Sequence, residues 1–386
     1  MVNFEFATAA RLLFGPGRLA EVPAALRAQG VRRILVTTNL PGPGAERLRS
    51  LLTAAGIESV VWLVDQEPTV ESVSAGLARS RREGCDGVVG LGGGSAMDTG
   101  KAVAALATNR GVLLDYLEVV GRGQPLQARP LPFVAIPTTA GSGAEVTRNA
   151  VIGVPAAKVK VSLRSPHLLP ILTVLDPDLL DGLPKSVVAS SGLDALSHLV
   201  EALVSGRANP LTDALGAEGL RRSARALRQA YTSGMHADTR ENLMLASLCG
   251  GLCLANGGLG AVHGFAEPLG GMVHAPHGAL CAALLGPVMD ANLRALAERE
   301  PEHPARARYR EIAEIVTGRH GAEANDAVVW VRDLCQALDV RGLGHHGLSA
   351  DAIPALVAKA KAASSMGGNP VQLSEDELGD IVRAAL

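Results

Sequence analysis

Between residues 32 and 95 the chain alternates three short β-branched, apolar runs with two amphipathic stretches, and this alternation narrows the fold more than any other feature. "RRILVTTN" (32–39), "SVVWLVD" (59–65) and "DGVVGLGGGS" (86–95) read as buried strands; "GAERLRSLLTAAG" (44–56) and "VESVSAGLARSRREG" (70–84) read as the helices between them. Strands joined by helices of this length pair in parallel, which gives a doubly wound α/β sheet. "PLPFVAIPTTAGSGAEVTRNAVIGV", "KVKVSL" and "LTVLDPDLL" continue it less regularly as strands and a polar turn. After Asp181, "KSVVASSGLDALSHLVEALVSG", "LTDALGAEGLRRSARALRQAY", "RENLMLASLCGGLCLANGG", "PARARYREIAEIV" and "ANDAVVWVRDLCQAL" carry apolar residues at helical spacing, and no convincing strand remains.

With 386 residues the chain exceeds the roughly 250–300 that one core supports. The expectation is an α/β domain over residues 1–180 and an all-helical domain over 181–386.

Composition narrows the partners. Aromatic residues make up 3%, too few for a stacking platform for single-stranded nucleic acid, and 36 Lys+Arg against 38 Asp+Glu leave a net charge of −2. Small molecules and further subunits are expected; nucleic acid and membrane are not. Five scattered cysteines (Cys85, Cys249, Cys253, Cys281, Cys335) do not form a disulfide framework, and the N-terminus lacks a basic segment followed by an apolar run, so a cytoplasmic location is expected.

The third strand runs into Gly92, Gly93 and Gly94 and then a helix. Glycines let a ligand approach the backbone, and a helix N-terminus offers unused N–H groups with a positive dipole end, an arrangement suited to a pyrophosphate. Ser95 is expected to cap this helix, with Asp98 reaching back three residues later. A tight turn would account for the glycines alone. A second hydroxyl- and glycine-rich turn, "PTTAGSGAEVT" (137–147), favours a dinucleotide across the strand ends.

In "SGLDALSHLVEA", Asp194 and His198 share one helical face, while His263 and His277 flank "HGFAEPLGGMVHAPHG" near expected helix ends. A carboxylate and three imidazoles suit divalent iron or zinc. Taken alone, Asp194 and His198 read as a local helix-surface hydrogen bond before they read as ligands, His274 as an exposed loop side chain, and Cys249 and Cys253 as small core packers.

Together, "GGGSAMDTGK", "PTTAGSGAEVTRNAVI", "GLDALSHLVEA" and "HGFAEPLGGMVHAPHG" closely resemble the iron-containing (group III) alcohol dehydrogenases, within the wider dehydroquinate synthase-like group. The likeness runs from "LLFGPG" to "GGNPVQLSEDEL". It implies a metal-dependent oxidoreductase that moves a hydride between NAD or NADP and a small alcohol or carbonyl substrate, with the active site in the cleft between the two domains. A homodimer or larger homo-oligomer is implied as well. It assigns the metal, Fe(II) with Zn(II) as alternative, to Asp194, His198, His263 and His277. It assigns the pyrophosphate to Gly93, Gly94 and Ser95, with Asp98, and further cofactor contacts to Thr138, Thr139 and Ser142. Lys160 falls on the nicotinamide side, where it could orient cofactor or substrate, and Leu179 lines the cofactor cleft.

The chain departs from the family pattern in three places. Thr38 stands where members preferring NAD often carry Asp, which removes a charge that would repel a 2′-phosphate and opens the way to NADP. Glu67 replaces an Asn before "PT". Glu267 replaces a His, and is read either as a hydrogen-bonding or proton-relay group or as a structural hydrogen bond before Pro268. A maleylacetate reductase-like enzyme, a dehydroquinate synthase-like lyase and a non-enzymatic binding module are the competing readings.

Overall fold

The computed structural model describes residues 3–39, 42–157 and 159–386. Contacts divide the chain into two compact units. One comprises Ala7–Thr139 with Gly143–Asp181; the other comprises Gly182–Leu386 with Ala140–Ser142 and the N-terminal residues as far as Phe6.

The first unit is built on β1 (Leu12–Phe14), β2 (Arg33–Thr38), β3 (Glu58–Leu63), β4 (Gly87–Gly92), β5 (Phe133–Pro137) and, later in the chain, a strand at Leu172–Leu175. Helices α1 (Val22–Ala28), α2 (Pro43–Ala54), α3 (Val70–Arg82) and α4 (Gly94–Thr108) separate them. Between β5 and the last strand an antiparallel hairpin intervenes, formed by β6 (Asn149–Val154) and β7 (Val159–Arg164), so the last strand is β8. The sheet is parallel throughout, in the order β1-β8-β5-β4-β2-β3. The three-residue β1 was not among the expected strands.

The alternation of side chains explains why both faces are covered. Ile34, Val36, Val89, Leu91, Val134 and Ile136 point into one core with Leu26, Leu48 and Leu52 of α1 and α2. Leu35, Val88, Phe133 and Ala135 point into another with Val73, Met97, Val103 and Leu106 of α3 and α4. Strands buried on both faces read as continuous apolar runs, which is why they were legible.

The chain leaves β2 through α2 to β3 on one side, then returns across α3 to β4 on the other. Strand order therefore reverses between β2 and β4, and a ligand crevice is expected outside the carboxyl ends of strands at such a switch. Those ends are Thr38, which lies opposite Leu91 in register, and Gly92.

The second unit is helical: α5 (Lys185–Val204), α6 (Pro210–Ser233), α7 (Ala237–Gly257), α8 (Ala261–Leu269), α9 (His277–Arg299), α10 (Ala305–Thr317), α11 (Ala324–Ala337), α12 (Ile353–Ala362) and α13 (Glu375–Ala385). Pro210 opens α6 behind an Asn209 cap whose side chain accepts from Leu211 and Thr212. Gly258 (φ 73°) ends α7, and α8 departs at 96° to it. By length and composition α5 and α9 could cross a membrane, yet 78% and 67% of their apolar windows are buried inside the protein. Their apolar surface therefore forms this unit's core.

Candidate active site

Asp194, His198 and Glu201 fall on one face of α5 at intervals of four and three residues, and all three are buried. His263 lies in the first turn of α8, and His277 is the first residue of α9, with Cys281 one turn further on. Asp194 Oδ1 is 3.8 Å from His198 Nε2, 3.6 Å from His263 Nε2 and 3.8 Å from His277 Nε2. Buried though it is, this oxygen has no hydrogen-bond partner. A buried carboxylate oxygen is costly unless a proton or cation satisfies it. Facing three imidazole nitrogens, it fits a divalent cation, and the oxygen and nitrogen donors suit Fe(II) or Zn(II).

The close approach of α5 and α9 depends on a missing side chain. A Cβ on Gly278 would clash with the Ser190 carbonyl oxygen and lie 3.0 Å from Asp194 Cβ.

Electrostatics follow from burial and crowding. Burial opposes ionisation of Asp194, but His198, His263 and His277 outweigh it and hold the carboxyl well below its usual range. Burial pushes His198 down to about 3 against the attraction of Asp194. His277 rises to about 9, since burial is outweighed by Cys281 and then Asp194; His263 is raised well above its ordinary value by Cys281, Asp194 and Glu201, again against burial. To hold a cation, each of the three imidazoles must present an unprotonated nitrogen.

At the switch point of the sheet, Asn39 pins the glycine turn. Its Oδ1 accepts from the Gly93 N–H at 2.7 Å while its Nδ2 donates to the Val64 carbonyl at 3.1 Å. A Cβ on Gly92 would lie 2.5 Å from Asn39 Oδ1, so the turn closes only around glycine. The Gly93 amide already has a protein partner, leaving the first turn of α4, with Gly94 and Ser95, to supply amides that the helix itself does not use. Thr138 N–H donates to the Gly92 carbonyl, and Thr139 Oγ1 borders Gly93.

The expected Ser95–Asp98 cap does not form. The helix starts at Gly94 with Gly93 as its N-cap, so Ser95 already lies within the first turn. Asp98 faces β6 instead, where its Oδ2 accepts from the Val151 N–H at 3.2 Å, and burial pushes its carboxyl up to about 6 against Lys101.

Two family models match the chain: the iron-containing alcohol dehydrogenase model over residues 9–177, and the C-terminal model of the same family over residues 188–386. The chain belongs to the iron-containing alcohol dehydrogenases. Alcohol dehydrogenase 4 of Schizosaccharomyces pombe is 36% identical over 383 residues, covering 97% of this chain and 87% of that protein. A crystal structure of 1,3-propanediol oxidoreductase shares 33% identity with a TM-score of 0.90, covering all of both chains. A sulfoacetaldehyde reductase from Bifidobacterium kashiwanohense, solved with NAD+, shares 26% identity with a TM-score of 0.87, covering 100% of this chain and 99% of that one. The protein is accordingly a metal-dependent, nicotinamide-linked alcohol oxidoreductase.

The other residues singled out in the sequence of this iron-containing alcohol dehydrogenase are spread over both units. Lys160, on β7, forms an ion pair with Glu67, the residue that stands in place of the family Asn. Thr38 is buried at the end of β2, Leu179 packs on Gly44 at the start of α2, and Ser142 groups by its contacts with the helical unit. Glu267 lies one turn beyond His263, and its Oε1 accepts from Ser365 Oγ at 2.7 Å. His274 is exposed, and Cys249 and Cys253 are buried within α7.

Two residues beside the histidines escaped the sequence analysis. Glu201 Oε2 lies 2.6 Å from His263 Nδ1, and its Oε1 accepts from the Val262 N–H at 2.7 Å. Cys281 Sγ lies 3.7 Å from His263 Nε2 and 3.6 Å from His277 Nε2. The spacings that could have revealed them are seven residues from Asp194 and four from His277.

Proposed function

We propose that Asp194, His198, His263 and His277 hold the metal of this dehydrogenase, and that the β4–α4 turn takes the pyrophosphate of NAD or NADP. In this reading residues 1–180 serve as the dinucleotide-binding domain and residues 181–386 as the metal and substrate domain. The substrate is a small alcohol or the matching aldehyde. The unpartnered, buried Asp194 Oδ1 facing three imidazoles is the observation that carries the reading.

When bound, the divalent ion polarises the substrate oxygen while the nicotinamide carries the hydride. Asp194 supplies the single anionic donor among the four. Glu201 holds His263 by Nδ1 and leaves Nε2 directed at the other donors, as an outer partner does for a ligating histidine. Glu267, steadied by Ser365, is the group we assign to proton exchange with the substrate oxygen; its carboxylate lies one turn from His263. The ion pair with Glu67 fixes the Lys160 ammonium on the hairpin, where it orients the cofactor. Gly94, Ser95, Thr138, Thr139 and Ser142 complete the cofactor contacts, with Thr38 near the ribose, Leu179 against the cofactor, and Asp98 acting through α4.

The sibling structure named for 1,3-propanediol supports a small alcohol or diol. A cytoplasmic homo-oligomer is the accompanying proposal. The assembly is supported by β3, an edge strand that leaves Val61 and Leu63 about half exposed, the kind of edge that proteins normally cover.

The test is elemental analysis of the purified chain, followed by oxidation of NADH and NADPH with a panel of short aldehydes. Wild type is expected to carry about one Fe or Zn per chain, and Asp194→Ala and His263→Ala are expected to lose both metal and turnover. Full metal content in both variants would remove the assignment.

A further inference from the structure

Helix α8 begins without a local cap. Its N-cap is Gly260, which has no side chain, and the helix runs for only nine residues, with Pro268 in its last turn. A helix this short draws little stability from its own backbone, and its first N–H groups need partners from elsewhere. Two distant side chains provide them: Asn369 Oδ1 accepts from the Ala261 N–H at 3.2 Å, and Glu201 Oε1 from the Val262 N–H at 2.7 Å. A Cβ on Gly260 would lie 2.9 Å from the first oxygen and 3.0 Å from the second, so the place of an ordinary cap is already filled. The Asn369 amide is itself held fast. Its Nδ2 donates to Asn292 Oδ1 and to the Val371 carbonyl, each at 2.8 Å, and Asn292 Nδ2 donates back to Asn369 Oδ1 at 3.1 Å. Asn292, on α9, is buried.

The stretch of chain that carries Asn369 follows α8 along one stripe. It forms a single 3-10 turn, Ser364–Gly368, between α12 and α13. Asn369 meets Ala261, Met366 packs on Gly264 so closely that a Cβ there would lie 2.9 Å from its Cε, and Ser365 Oγ donates to Glu267 at 2.7 Å. Residues 261, 264 and 267 recur at intervals of three and share a face. We propose that Asn369 is a positioning residue for the metal ligand His263, acting by capping α8 from a distant part of the chain in place of the side chain that Gly260 lacks. Its role rests on the assignment of the metal to Asp194, His198, His263 and His277. His263 is the third residue of α8, so its place depends on how that first turn is held. Glu201 fixes the ring and the Val262 N–H; Asn369 fixes the turn itself, which keeps His263 Nε2 3.6 Å from Asp194 Oδ1. Asn369 takes no ligand position and leaves the four donors as they are.

The test measures the zinc affinity of the full chain, stripped of metal, by competition with a chelator of known affinity, and records the unfolding midpoint of each protein alongside. Wild type, Asn369→Ala, Arg299→Ala and His263→Ala are compared. Arg299 donates to Glu377 and to the Gln372 carbonyl, so its loss loosens the same C-terminal region without removing a hydrogen bond of α8. Asn369→Ala is expected to bind zinc at least about tenfold more weakly than wild type, the low end for loss of an outer partner of a metal ligand. Arg299→Ala is expected to keep wild-type affinity, whatever it does to stability. KM for NADH should stay at its wild-type value in both, since the proposed coenzyme turn lies in the other unit. Wild-type zinc affinity in Asn369→Ala overturns the inference. An equal loss in Arg299→Ala, or a joint rise in KM for NADH, overturns it too, because either marks a general loosening. Wild-type affinity in His263→Ala overturns the metal assignment and the role of Asn369 with it, whereas loss there beside an unaffected Asn369→Ala removes only that role. Should Asn369→Ala not fold, Asn292→Ala, which removes the partner of the Asn369 amide, is read in its place by the same criteria.

Discussion

His263 Nδ1 and Glu201 Oε2 lie 2.6 Å apart in a buried setting, and the other oxygen of the same carboxylate accepts from the backbone of Val262. One side chain thus fixes both the imidazole and the start of the helix that carries it. Glu201→Ala frees both, and metal affinity is expected to fall about 10- to 100-fold. Competition against a chelator of known affinity measures this; an unchanged affinity would show that α8 positions His263 without Glu201.

Gly278 makes a second prediction. Any Cβ there meets the Ser190 carbonyl, so Gly278→Ala must push α9 away from α5. The cost is expected to be about 1–3 kcal/mol in denaturant unfolding, the range typical of overpacking. Metal content should fall with it, because Asp194 and His277 sit on the two helices being separated.

Burial of Glu145 gives a pH signature. Its carboxyl is pushed from 4.5 up to about 7 by burial, against the nearby Lys101. Between those two values the folded chain holds a proton that the unfolded chain has lost, so stability falls as pH rises from 4.5 to 7. Glu145→Gln removes this dependence. The unfolding free energy of the variant should therefore gain on wild type through that window, by at most about 3 kcal/mol at its upper end. Parallel curves for the two proteins would mean that Glu145 titrates normally.

Thr38 ends β2 at the switch point, beside the glycine turn. In the proposed placement of the cofactor, Thr38→Asp brings a carboxylate toward a 2′-phosphate, and like charges brought together cost several kcal/mol. The ratio of kcat/KM for NADH to that for NADPH is expected to rise about tenfold or more, equivalent to about 1.4 kcal/mol. A ratio indifferent to the substitution would detach Thr38 from coenzyme choice, whatever the variant does to stability.

How far the sequence could be read depended on whether the determining contacts were local. The parallel sheet was legible because Ile34, Leu35, Val36, Val88 and Val89 are buried on both faces and read as unbroken apolar runs. With only three residues, β1 offers too short a run. The start of α4 was misread because Ser95 and Asp98 have the spacing of a cap while the backbone turns one residue earlier, around Gly93. Asp194, His198, His263 and His277 stood out by residue type. Glu201 and Cys281 did not, since a carboxylate in an amphipathic helix and a cysteine among alanines are ordinary until α5, α8 and α9 converge. Likewise, the replacement at Glu67 acquired a meaning only when β7 brought Lys160 to it.

Among the described residues, the imidazoles that face Asp194 come from α5, α8 and α9, and the glycine turn pinned by Asn39 belongs to the other unit. In the proposed reading, coenzyme choice and Lewis-acid chemistry are therefore written on separate stretches of chain. On that reading, mutational drift around Thr38 and Asn39 would exchange one nicotinamide for another without passing through a metal-deficient ancestor, and a change of ion at the helices would leave the nucleotide undisturbed. Such modularity leaves a lineage free to explore new substrates one half at a time.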